Sequence, residues 1–379
     1  MTKFSKLTLL IVALAGIALV TNGQEKYYDL KPVKQIKTTP TKDLQRVGSC
    51  WANAGTALLE AEWIKNGKPE IDLAEMTFIT DAYRLKADAH LTSKGETRVD
   101  EKGIPQDVFT LMTNYGMAPE DMYMKSDYQP ENASSGEMDA IIRATLHMVM
   151  TKEGGNFTEN WKNTFDASLS RYLGETRISF PYNGKDYTPK SFAEASGLNA
   201  ADYVTLTSDG KSSMDSKIVL TAKNNWSKTQ AYNVSADNLL NSVKSAVNGG
   251  FTVIWYGTVP AEMIFAEEQV ALVPAGKITD LTKVKDGEEN NFIPLPEKEV
   301  SVSDRQASFD AAAKAEQSYL LVYGISKDKN GAEYLMAKKV CEAGDKILNL
   351  SPSFVKLNTV FAVLNKKGLP ANLKSKFGL

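Results

Sequence analysis

The chain has 379 residues, 42% hydrophobic and 24% charged, an ordinary globular composition long enough for one large domain or two lobes. Lys and Arg number 44 against 46 Asp and Glu, a formal net charge of −2, which argues against nucleic acid or an acidic membrane as the main partner. Two cysteines, Cys50 and Cys341, and two histidines, His90 and His147, are far too few for a disulfide framework, and their spacing gives no metal constellation and no sign of another cofactor.

The first residues have the anatomy of a secretory signal. Lys3 and Lys6 precede an uncharged apolar run, Leu7 to Val20, and Thr21-Asn22-Gly23 follows it. The run is shorter than the roughly 20 residues a membrane span needs. No cysteine lies near the expected cleavage point to carry a lipid. Residues 1–23 are therefore expected to be removed, leaving 24–379 as a secreted or periplasmic protein with no stable membrane anchor.

Residues 24–47 are polar and read as an extended lead-in. From Cys50, Trp51, Ala54, Leu58 and Ala61 recur at helical spacing, as do Gly55, Leu59 and Trp63. The spacing predicts a helix buried on most sides, with Ser49 as N-cap and Gly67 as stop. Cys50 then sits at a helix N-terminus, where the macrodipole favours an anion. Further helices are predicted from Leu73 to about Lys86 and from Gln106 to Tyr115, with a helical, polar stretch over about 135–172. Tyr182-Asn183-Gly184-Lys185-Asp186-Tyr187 predicts a hairpin. Strands are predicted at 250–256, 319–324 and 334–340, the last two joined as a hairpin by Asp328-Lys329-Asn330-Gly331.

Gly48-Ser49-Cys50-Trp51, opening a buried helix near the mature N-terminus, resembles the nucleophile segment of papain-like cysteine peptidases. Asp72-Leu73-Ala74-Glu75-Met76, the segment from Lys102 to Val108, Asn114 to Glu120, Tyr182 to Phe192, Phe309-Asp310 and the ending from Lys366 to Leu379 look like the bleomycin hydrolase and aminopeptidase C branch. The resemblance spans nearly all of the mature chain. It implies an α+β, two-lobed papain-like fold with a cleft between the lobes and Cys50 at its floor. The helical lobe would cover about 48–135 and an insertion about 136–235. A strand-rich, β-barrel-like lobe would then take about 236–379.

In such enzymes a thiolate attacks the peptide carbonyl. A histidine keeps the sulfur ionised and then protonates the leaving amine. An asparagine orients that histidine, and a glutamine before the cysteine helps bind the oxyanion. Counting from Phe309-Asp310 puts Ser318 at the histidine position. In the next strand Lys339 stands at the asparagine position and Cys341 at that of the following tryptophan. The oxyanion glutamine aligns with Leu44, or with Gln45 if the loop is one residue shorter. The paired glycines that let a substrate backbone approach are Lys102-Gly103 here, so the first is lost, and Trp51 and Gly103 are the substrate-side positions kept.

Neither Ser318 nor Lys339 does the original work. Losing one partner of a nucleophile–base pair costs on the order of 10⁴-fold or more in rate. A desolvated Lys339 would be a base, but the family's asparagine sits behind the histidine rather than against the sulfur. His147 is expected to be a partly buried helix residue and His90 to face solvent. A Cys50–Cys341 bridge is open to an exported protein, although the family's tryptophan does not lie against the nucleophile. The resemblance therefore implies a non-catalytic pseudo-peptidase that binds a peptide or protein partner in the old cleft. Two other readings stand beside it: a residual thiol hydrolase or aminopeptidase using Cys50, and a purely structural exported protein. Oligomeric state is left open, because the branch includes homo-oligomers with the C-terminus placed in the cleft.

Overall fold

A computed structural model describes residues 28–43, 48–128, 136–152, 158–276, 294–312, 315 and 317–379. The expected signal, 1–23, and both candidate oxyanion positions, Leu44 and Gln45, lie outside the described residues. No helix among the described residues is long and apolar enough to cross a membrane.

After a short strand, β1 (Lys31–Gln35), the chain builds three packed helices, α1 (Cys50–Lys65), α2 (Glu75–Thr92) and α3 (Pro105–Asn114). Both predicted stripes of α1 are buried: Trp51, Ala54, Leu58 and Ala61 on one, Gly55, Leu59 and Trp63 on the other. The helix stops where predicted, and Gly67 takes the left-handed conformation at φ 77°. Gly55 is there for close approach. A Cβ on it would lie 2.4 Å from the Val108 side chain of α3. Helix α2 starts two residues later than predicted, because Leu73 is drawn into a strand-like bridge with Pro119.

The middle of the chain supplies β2 (Tyr123–Lys125), α4 (Gly136–Thr151), α5 (Asn160–Leu173), β3 (Gly174–Thr176), β4 (Phe180–Tyr182), β5 (Lys185–Tyr187) and α6 (Pro189–Ser196). Met138, Ile142 and Leu146 on α4, with Phe165, Leu169 and Leu173 on α5, are spaced to share one face. They are buried in the same apolar cluster as α1 to α3. The predicted hairpin is β4–β5. Asn183 and Gly184 both have positive φ, 50° and 75°, as a two-residue turn of this kind requires.

The strand-rich part comprises β6 (Tyr203–Thr207), β7 (Ser216–Val219), β8 (Gln230–Asn233), α7 (Ala236–Asn248), β9 (Val253–Gly257), β10 (Ile264–Phe265) and β11 (Val270–Ala271). It continues with α8 (Val302–Ala312), β12 (Ser318–Lys327), β13 (Glu333–Lys339), β14 (Ile347–Leu350), α9 (Pro352–Asn358), β15 (Thr359–Asn365) and α10 (Ala371–Phe377). Among the described residues one sheet runs β10-β11-β14-β13-β12-β9-β15-β6-β8-β7, with β1 added on β12, and it does not close into a barrel. Strand alternation divides its side chains between two cores. Ile254, Tyr256 and Leu321 join the helical cluster. Val253, Trp255, Leu320 and Val322 pack on the other face, with Leu239, Val243 and Val247 of α7. Helix α1 is therefore clasped between the other helices and the sheet, with its N-terminus at the junction of the two parts.

Candidate functional site at the start of the central helix

Ser49 precedes the helix without a side-chain cap bond, so the first turn is fixed by packing rather than by a hydroxyl. Trp51 does most of that packing. Its side chain is 1% exposed, and its Nε1 donates to the Glu101 carbonyl at 2.9 Å. A Cβ on Gly103 would come within 2.9 Å of the Trp51 indole and of Asp107 Oδ2. That contact explains why one glycine of the expected pair is needed and the other is not. Gly103 is pressed against an indole, whereas Lys102 is exposed and its side chain meets no such obstacle.

The sulfur of Cys50 is bonded to that of Cys341, with 5.7 Å between the Cα atoms. The pairing that the sequence left open is therefore made, by the cysteine at the position of the family's tryptophan. The residues after β13 carry Cys341 onto the first turn of α1, where it meets Cys50. The bridge closes 291 residues of sequence separation and ties the sheet to the helices.

A second tie runs beside it. The lead-in segment crosses between α1 and the loop after β13. Lys338, almost fully buried, donates to the Thr39 carbonyl at 2.6 Å and to Asp345 at 2.8 Å. Thr41 and Asp345 exchange backbone-to-side-chain bonds at 3.0 Å each way, and Ala343 N–H donates to Asp43 at 3.0 Å. Lys42, the residue after Thr41, plugs an acidic cluster in which Glu60 and Glu75 are buried and Asp72 is exposed. Its Nζ lies 2.9 Å from Glu60 and 2.6 Å from Glu75, contacts Asp72, and donates to the Leu73 carbonyl at 3.0 Å. Burial works against the Lys42 charge, but Glu60 and Glu75 outweigh it and hold the ammonium above its ordinary range. Burial raises Glu60, and pushes Glu75 up to about 7, with Lys42 opposing in both cases. The three carboxylates are close enough to one another to hold a cation, and the lysine ammonium already occupies that role. Sequence reasoning missed this cluster. The signal was Glu60 inside an apolar helix, since a carboxylate buried there needs a partner.

The other predicted site residues are not gathered into a catalytic group. Ser318 opens β12 and pairs across to Gly257 of β9. Lys339 ends β13 opposite Leu320, two residues along from Ser318, with its Nζ 3.2 Å from Glu342 and the side chain about half exposed. It is neither desolvated nor free. His147 is exposed on α4, correcting the expected partial burial, because Met138, Ile142 and Leu146 already fill that helix's inner face. His90 corrects the opposite expectation. It is half-buried, and its Nδ1 meets the Thr97 carbonyl at 2.6 Å, clipping the loop after α2.

Asp107 is a further organising residue that the sequence did not single out. One oxygen accepts from Ile104 N–H at 3.0 Å, capping α3, and also from Trp226 Nε1 at 2.9 Å. The other accepts from Ser227 Oγ at 3.0 Å. Burial raises its carboxyl above the usual range, while the Ile104 and Ser227 bonds pull the other way. Through Asp107 the loop between β7 and β8 is pinned onto the helices beside Gly103.

This arrangement, a helical lobe opening on a Cys-Trp helix and packed against a strand-rich lobe, is the papain-like cysteine peptidase fold. Among solved structures, PepW from Lactobacillus rhamnosis HN001 superposes with a TM-score of 0.66 at 13% identity, over 92% of this chain and 84% of that one. Xylellain, a cysteine protease from Xylella fastidiosa, is matched at 14% identity over 89% of this chain and 86% of its own, with a TM-score of 0.41. No protein-family profile matches the chain, and no curated protein sequence does.

Proposed function

We propose that the protein is an exported, non-catalytic relative of papain-like aminopeptidases that binds a peptide or protein partner with the surface around its former cleft. The observation that carries this reading is the Cys50–Cys341 bond. A sulfur held in a disulfide is neither a thiol nor a thiolate, and so attacks no carbonyl. Ser318 at the histidine position supplies no base at neutral pH, and Lys339 is engaged with Glu342 in solvent. Export into an oxidising compartment is consistent with a disulfide that persists.

The test is turnover of aminoacyl and peptide substrates, measured with and without reductant. The reading expects none in either condition, because reduction returns a thiol but no base. Turnover in the reduced sample would instead establish a thiol hydrolase working from the Cys50 helix N-terminus. The reciprocal variant, Ser318→His with Lys339→Asn and Cys341→Trp, asks whether the cleft geometry survives. Its turnover would mark the loss of chemistry as confined to those positions.

A further inference from the structure

A groove of about 520 Å³ opens beside Lys102, between the end of α2 with its following loop and the loop joining β7 to β8. Five cationic side chains line it, Lys86, Arg98, Lys102, Lys223 and Lys228, against only two carboxylates, Glu96 and Asp100. On a chain whose formal net charge is −2, this is a local excess of positive charge. Two of the cations are already occupied. Lys86 is buried and lies 3.4 Å from Asp100, and Arg98 reaches the same carboxylate at 2.8 Å. Lys102, Lys223 and Lys228 are exposed, and among the described residues none of the three has an ion-pair partner.

The cations on the hairpin loop are held by a rigid frame. Trp226 and Ser227 are fixed to Asp107. Asn225 closes the turn, donating to the carbonyls of Leu220 and Thr229 at 2.9 and 3.0 Å and accepting from Thr229 N–H at 2.8 Å. Lys228 is held at φ 54°, a left-handed conformation that a lysine adopts only when its surroundings impose it. A groove whose walls are ordered before a ligand arrives spends little conformational entropy on binding.

We propose that this groove binds an acidic peptide segment, with spaced Asp or Glu side chains set against Lys102, Lys223 and Lys228 and the half-buried Trp226 indole as its apolar floor. The inference rests on the peptide-binding reading above and names the class of peptide. A peptide fits better than a uniformly charged polyanion because the exposed Glu96 shares the same wall, while Asp100 is already engaged by Lys86 and Arg98. Glu96 repels a continuous anionic chain but accepts hydrogen bonds from peptide N–H groups.

The test is fluorescence anisotropy on the full mature chain with three labelled probes: a Glu-rich decapeptide, its Gln counterpart, and a sulfated oligosaccharide. Each is titrated at about 50 mM and about 500 mM salt, which brackets strong and weak screening. The acidic peptide is expected to bind at low salt at least about tenfold more tightly than the Gln peptide, and to weaken at high salt. The triple variant Lys102→Glu, Lys223→Glu, Lys228→Glu, confirmed folded by circular dichroism, is expected to lose that binding. Equal binding of the two peptides, unchanged binding by the triple variant, or no binding by the folded protein would overturn the proposal. So would tighter binding of the oligosaccharide, which assigns the groove to a polyanionic glycan. Catalytic turnover by the wild-type chain would end the non-catalytic reading, yet the charge-reversal result would still judge the groove by itself.

Discussion

The Cys50 side and the Lys102 side of the helical part are built in opposite ways. On the Cys50 side the polar groups are tied to one another: a disulfide, a crossing strap, and a partly buried lysine among carboxylates. On the Lys102 side the walls are ordered but three cations face solvent with no partner among the described residues. The buried Trp51 indole lies between them, bonded to the Glu101 carbonyl and packed against Gly103. The difference teaches that packing and chemistry separate in this fold. The segment that carries Cys50 also organises the junction of the two parts, so it has a structural use whatever its sulfur does.

The largest effect should come from the closed side. Replacing Lys42 by Met leaves Glu60 and Glu75 buried without their cation, and is expected to cost about 3–5 kcal/mol in chemical denaturation. A loss under about 1 kcal/mol would mean that buried charge does not hold this side together. Cys341→Ser should come next, lowering stability by about 2–4 kcal/mol under non-reducing conditions, with no change in a fully reduced sample beyond the substitution itself.

Glu62, two residues from Glu60 on the same helix, sharpens the contrast because among the described residues no lysine ammonium is in contact with it, Lys367 acting only from a distance. Burial pushes its carboxyl from 4.5 up to about 7, against the bond it receives from Asn365 at 2.9 Å. A raised folded-state value means that the folded protein holds the proton more tightly. Its stabilising effect is therefore complete below about 4.5, falls as pH rises through the interval to about 7, and is level above. Glu62→Gln should remove the share of that slope that Glu62 contributes, leaving the share of Glu75, and gain on the order of 2–3 kcal/mol at pH 8 relative to the wild type. A pH profile of unfolding free energy whose slope between about 4.5 and 7 is as steep in the variant as in the wild type would contradict this. The smallest effect belongs to the open side. Lys102→Ala should shift the thermal midpoint by less than about 0.5 kcal/mol equivalent, because the side chain is exposed and unpaired.

Much of the fold could be read in advance, for identifiable reasons. The two apolar stripes after Cys50 specified a buried helix, and Asn183-Gly184 specified a hairpin turn. The apolar runs at 319–324 and 334–340 were long enough to name β12 and β13. The site was legible only in part. The sequence singles out Cys50, but what its sulfur touches depends on a contact 291 residues away, which local pattern does not carry. The strap, the Lys42 cluster and the Asp107 anchor were equally out of reach, because each is a long-range meeting of polar groups with no periodicity. The helix α4 pattern misled about His147 because its apolar face was already complete without it.

The central claim, that Cys50 is chemically occupied, is tested most directly by counting free thiols. The native chain, purified without reductant, is unfolded in denaturant with iodoacetamide, and its peptides are mapped by mass spectrometry. The account predicts no alkylated cysteine and one linked peptide pair joining Cys50 to Cys341. Stoichiometric alkylation at Cys50 with Cys341 also modified would contradict it.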